Sequence, residues 1–84
     1  SWGNDNFRKE SRINIDVFPN PASNSITIQG ITQSAVSLFD ISGKLIEKVN
    51  ALQQRIEVGH LAPGVYFIQA NTLQGMQQKK FIKQ

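Results

Sequence analysis

The sequence predicts an all-β fold, an antiparallel β-sandwich of about seven short strands. Three observations predict it. Apolar and polar residues alternate over short runs, as with Ile13, Ile15 and Val17 between Arg12, Asn14 and Asp16. Turn residues interrupt these runs about every ten positions. No stretch sustains a helical period: residues 44–55 can be forced onto a helical wheel, but Val49 and Asn50 argue against it.

The first strand is expected over residues 12–17. Pro19 and Pro21 end it, because neither can donate to a ladder, and Asn20 before a proline is held extended. The segment Pro19-Asn20-Pro21 is therefore expected to be a stiff crossover that does not pair. Residues 25–29 alternate again, with Ile26 and Ile28 inward, and Gly30 closes the run. A third strand over 35–40 places Val36 and Leu38 on one face. Asp40-Ile41-Ser42-Gly43-Lys44 then predicts a hairpin turn, since Asp40 can accept backbone N–H groups and Gly43 can take positive φ. Val at Gly43 or Gly64 is expected to destabilise, because β-branched residues resist positive φ. The turn leads into a strand over 44–49. A fifth strand over 54–58 turns Ile56 and Val58 inward.

Leu61-Ala62-Pro63-Gly64 fits a turn, its Pro-Gly pair favouring type II. Residues 65–70 are β-branched and aromatic and apolar on both faces, which predicts a central strand. Gln74 and Gly75 turn the chain into a last strand over 76–83, where Phe81 and Ile82 face opposite ways. Residues 1–11 are polar and mixed in charge, with isolated Trp2 and Phe7, and read as a linker. The domain proper is expected over residues 12–84.

Eighty-four residues make one domain, and at this length only about 60% of the unfolded surface can be buried. The chain has no cysteine, which rules out a disulfide, a Cys-based zinc site and a thiol nucleophile. Net charge is +3, and three of the nine basic residues are Lys79, Lys80 and Lys83. Such a cluster can meet an anionic surface, or keep an edge strand from pairing with another chain. No apolar run approaches the roughly 20 residues that span a bilayer. Without an initiator Met or a leader-like opening, the chain reads as part of a longer precursor.

The residues of catalysis are sparse. His60 is the lone histidine, and the six acids are scattered at 5, 10, 16, 40, 47 and 57. Asp16 and Glu57 could meet across strands, as any exposed polar pair could. There is no G-x-S-x-G elbow and no Gly-rich phosphate loop. No catalytic residue, cofactor, metal or small-molecule substrate is expected. Nucleic-acid binding needs a basic face with stacking aromatics. Only Lys79, Lys80, Phe81 and Lys83 offer one, while Phe39, Tyr66 and Phe67 sit at core-like positions, so no nucleic-acid partner is expected.

Four segments in fixed order carry a resemblance. They are Pro19-Asn20-Pro21-Ala22, Asp40-Ile41-Ser42-Gly43-Lys44, the run from Leu61 through Gly64 to Tyr66 and Phe67, and the tail Lys79-Lys80-Phe81-Ile82-Lys83-Gln84. Over about residues 13–84 the chain resembles the type A C-terminal sorting domain of the type IX secretion system, found on exported proteins of Bacteroidetes. Phe18 stands where that family usually has Tyr. The resemblance implies an immunoglobulin-like sandwich that is not an enzyme but an address. It implies a covalently attached upstream cargo, recognition by the type IX machinery in the periplasm, and passage to the outer membrane, cell surface or medium. It also implies removal by a sortase-like cysteine protease, with the cut within or just before residues 1–11.

The expected recognition surface includes the last strand, Lys79 to Gln84, and nearby loops, with an edge strand open to strand addition by a partner. An exposed edge also leaves room for weak homodimerisation. The competing readings are an immunoglobulin-like accessory module that binds carbohydrate or a neighbouring domain, and a structural spacer. A sugar site would want exposed Trp and Tyr.

Overall fold

Short alternating runs can bury one face each, so they pair into sheets and the sheets stack. In the computed structural model, which describes residues 15–51 and 54–84, they do so as seven strands. These are β1 (Asp16–Phe18), β2 (Ser25–Gln29), β3 (Ile31–Asp40), β4 (Leu45–Asn50), β5 (Arg55–Glu57), β6 (Gly64–Thr72) and β7 (Gly75–Lys83). One sheet has the order β1-β2-β5 and the other β4-β3-β6-β7. All strand pairings are antiparallel. The expected linker at residues 1–11 and the start of the first strand, with Ile13, lie outside the described residues.

The core is where the two inner faces meet. Val17, Ile26, Ile28 and Ile56 come from the small sheet, and Val36, Leu38, Ile68 and Phe81 from the large one. Every side chain that the alternation turned inward over β2, β3 and β5 is buried. Each such aliphatic contributes about 1.5–3 kcal/mol by leaving water. Ala22, Ala51, Val58 and Leu61 complete the core from the connections. Gly30 (φ 88°) is the only residue between β2 and β3, so its left-handed backbone carries the chain from one sheet to the other.

Strand bounds differ from the sequence expectation at several places, most of all in β3 and β6. β3 starts at Ile31 rather than 35, because Ile31 pairs with Thr72 beyond an irregularity that ends at Val36. Residues 32–35 are exposed and carry no apolar period, so pattern alone could not reveal that arm. β6 extends to Thr72 for the same reason, and β5 is only three residues long.

The predicted hairpin is present. Asp40 N–H donates to the Lys44 carbonyl (3.0 Å) and Gly43 N–H to the Asp40 carbonyl (3.0 Å). Gly43 holds φ at 89°, and a Cβ there would meet nothing within 4 Å. The cost of a side chain is thus purely one of backbone conformation. Gly43→Val is expected to lose roughly 1–3 kcal/mol, to be read from the urea midpoint. A loss under about 0.5 kcal/mol would show that the turn accepts another backbone shape.

Candidate functional site at one end of the sandwich

The four sequence segments come together in space. Asp40 pairs with Tyr66 across β3 and β6, and Tyr66 pairs with Phe81 across β6 and β7. One step further, Gly64 pairs with Lys83, and Lys83 forms a parallel bridge to Ala22. A single end of the large sheet therefore collects all of them.

Each segment has a distinct task there. Asp40 Oδ1 accepts from the Ser42 hydroxyl (2.6 Å), Ser42 N–H (2.9 Å) and Lys44 N–H (3.0 Å). These donors, the Ser42 hydroxyl foremost, hold its carboxyl below the ordinary value of 3.8. A lowered folded-state pKa means the turn is supported fully above the ordinary carboxylate value. That support is lost as pH falls through the lowered one.

Tyr66 is buried, and its hydroxyl donates to the Ala62 carbonyl at 2.6 Å. This bond back to the preceding loop is built like the tyrosine corner of immunoglobulin-type sandwiches. The same ring stacks on Phe81, with centroids 5.7 Å apart and planes 25° from parallel. Leu61 is buried beneath the loop.

The Pro19-Asn20-Pro21-Ala22 segment departs from expectation. It is not a non-pairing crossover but a clamp on β7. Ala22 N–H donates to the Ile82 carbonyl (2.8 Å), and Gln84 N–H donates to the Ala22 carbonyl (2.8 Å). The Asn20 side-chain oxygen accepts Ile82 N–H (2.9 Å). The two prolines silence their own donors, yet Ala22 between them and β2 keeps both backbone groups. No part of the sequence shows that residue 82 is near, some sixty positions away.

The tail also differs from a simple basic patch. Phe81 is fully buried, and Lys83 is 8% exposed, its Nζ donating to the Gln84 carbonyl at 2.8 Å. Lys79 shares their face but sits at the seam where Ile15 and Gln77 border a shallow cleft. Lys80 and Ile82 point to the opposite, solvent side, and Gln84 is exposed. The three lysines therefore form no single charged surface. Along β7, Ile82 turns its N–H and carbonyl away from β6, so by the period of two Gln78 and Lys80 do the same. Among the described residues these two have no backbone partner on that outer edge.

Phe39 and Phe67 are not in the core either. They are half-buried on the outer face of the large sheet and line a cleft of about 300 Å3 with Ile41, Gln69 and Gln78. Elsewhere, Glu47 of β4 is 2.9 Å from His60 in the β5–β6 connection, and Arg55 pairs with Glu57 along β5. Glu57 therefore meets Arg55 rather than Asp16. Among the described residues no group of three or more His, Cys, Asp and Glu side chains is placed to hold a metal ion.

The family described as the secretion system C-terminal sorting domain matches residues 16–84. The chain belongs to this family. A search of curated proteins finds no match. A sorting domain of this kind is a C-terminal signal for type IX secretion. It implies an attached cargo, interaction with the secretion machinery and export toward the outer membrane or cell surface. The family's members are sorting signals and not catalysts. In this sorting domain the match spans every motif named above, and their shared location shows what most of them do physically. They close one end of the sandwich around its last strand.

Proposed function

We propose that the machinery reads the sorting domain at the exposed positions of β7 and the residue after it, namely Lys79, Lys80, Ile82 and Gln84, with the Asp40 and Leu61 turns holding that strand in place. One observation carries the reading. The other motifs converge on β7 and anchor it through Phe81, Lys83 and Ala22, while its outer edge keeps unpaired backbone groups at Gln78 and Lys80 among the described residues. Such an edge suits strand addition by a partner, and two flanking lysines suit an acidic one. The signal acts in the periplasm. A sortase-like cysteine protease then removes it within or just before residues 1–11, leaving the cargo anchored at the surface or released. A carbohydrate role draws no support from Tyr66, whose ring is inside.

Deleting the tail is a poor test, because the deletion takes Phe81 from the core. Charge reversal is a better one. A reporter fused ahead of the chain and carrying Lys79→Glu and Lys80→Glu is expected to stay in the periplasm of a competent host, as the unaltered fusion does in a secretion-deficient host. The purified double variant is expected to keep its urea stability within about 0.5 kcal/mol, since both side chains are exposed. Undiminished export of the double variant would sink the assignment of these lysines.

A further inference from the structure

The two outer faces of the sandwich differ in chemistry. Outward positions of the small sheet are mostly polar, among them Asp16, Thr27, Gln29, Arg55 and Glu57. The large sheet carries an apolar cluster on its outer face. Leu45, Phe39 and Phe67 pair side by side across β4, β3 and β6, and Val65 pairs with Ile82 in the next outward row. Ile41, 70% exposed, stands at the turn above Phe39. Contiguous outward apolar groups are selected against unless something covers them. Among the described residues nothing does.

The cleft at the centre of this cluster has about 300 Å3, walled by Phe39, Ile41 and Phe67 and edged by Gln69 and Gln78. That volume suits one bulky apolar side chain. The two amides are cross-strand neighbours, and no side-chain hydrogen bond holds either of them among the described residues. They can donate to and accept from a peptide backbone. The rim is cationic along β7 and β4, where Lys80 lies across from Phe67 and Lys48 across from Ser37, while at the turn Lys44 sits beside the Asp40 carboxylate. The ion pairs among the described residues, Arg55–Glu57 and His60–Glu47, use none of these lysines.

We infer that the outer face of the large sheet is a docking site for an acidic peptide segment that inserts one bulky apolar side chain between Phe39, Ile41 and Phe67. Charge decides among the occupants. A second copy would bring like lysine rims together. An anionic sugar would supply charge, but its hydroxyls would lose water against three apolar walls. An acidic segment with an apolar anchor satisfies walls, amides and rim at once. The inference does not rest on the export reading. Binding is read on the purified chain and export in cells, so either can fail alone.

The test is an NMR titration of the 15N-labelled 84-residue chain with acetyl-Glu-Asp-Phe-Asp-Glu-amide. Shifts are expected at Phe67, Gln69 and Gln78. Replacing the peptide's Phe by Ala is expected to weaken binding by at least about tenfold, and raised salt is expected to weaken it further. Phe67→Ala in the chain should abolish the shifts. Gln69→Ala, a smaller change to the sheet, should weaken binding about fivefold, with circular dichroism confirming that both variants are folded. Equal binding of the Ala peptide overturns the proposal, as does absence of shifts at these residues. So do the same shifts appearing with chain concentration alone, or with a neutral oligosaccharide.

Discussion

Phe81→Ala is expected to leave the domain largely unfolded. Phe81 has no exposed surface, stacks on Tyr66 and ends the row that begins at Asp40. Truncating a buried Phe costs about 3–5 kcal/mol. An 84-residue domain without disulfides belongs near the low end of the 5–15 kcal/mol that folded proteins hold, so one substitution removes most of the margin. Urea denaturation followed by circular dichroism reads the effect directly. Phe81→Leu serves as the comparison, with an expected loss under roughly 2 kcal/mol because most of the volume stays. If the Ala variant lost less than about 1.5 kcal/mol, the core would have to close around the gap, and the central role given to Phe81 would be wrong. Export of a Phe81→Ala fusion is expected to fail through unfolding.

Removal of residues 82–84 is expected to cost about 3 kcal/mol without touching Phe81. Three hydrogen bonds of the clamp are lost, those joining Ile82 to Ala22 and to Asn20, and Gln84 to Ala22. Each is worth about 1 kcal/mol. The Ala22 amide, on a fully buried residue, also loses its acceptor, which raises the cost. Gly64 and Val65 lose their ladder partners. A lowered urea midpoint is the expected result, together with faster hydrogen exchange at the start of β6. An unchanged midpoint would mean that the clamp is ornamental and that β7 is held by β6 alone.

How much of this was legible in the sequence depends on range. The alternation of Ile26, Ile28, Val36, Leu38, Ile56 and Val58 named their buried face correctly, because period two is a local property of a strand. Asp40 and Gly43 were legible for the same reason, since a turn's bonds close within five residues. Strand β6 read correctly as central, but its doubly apolar pattern concealed the fact that Phe67 faces solvent. Burial by a neighbouring layer is not written in a strand's own residues. The tail misled in a related way. Lys79, Lys80 and Lys83 look like one patch on paper, and the pleat sends Lys80 to one side and the other two to the opposite side. Lys83 then folds its aliphatic stem inward, as long cations do. The clamp was invisible because Pro19 and Pro21 signal a break in pairing, while the group that pairs is the Ala22 that follows. For the proposed recognition surface, the sequence offered a basic edge strand at the tail, and the exposure of Lys80 and Ile82 against the burial of Phe81 narrows the proposal.

The contacts between residues 20–22 and 82–84 also govern timing. A chain that is synthesised or threaded through a pore from its N-terminal side presents Ala22 and Ile26 long before Ile82 and Gln84 arrive. Until then the row from Asp40 lacks Phe81, and the small sheet packs against an incomplete partner. The sandwich is finished only by its latest-arriving segment. A chain interrupted before Phe81 displays the early motifs in sequence but lacks the side chain that completes their row in space.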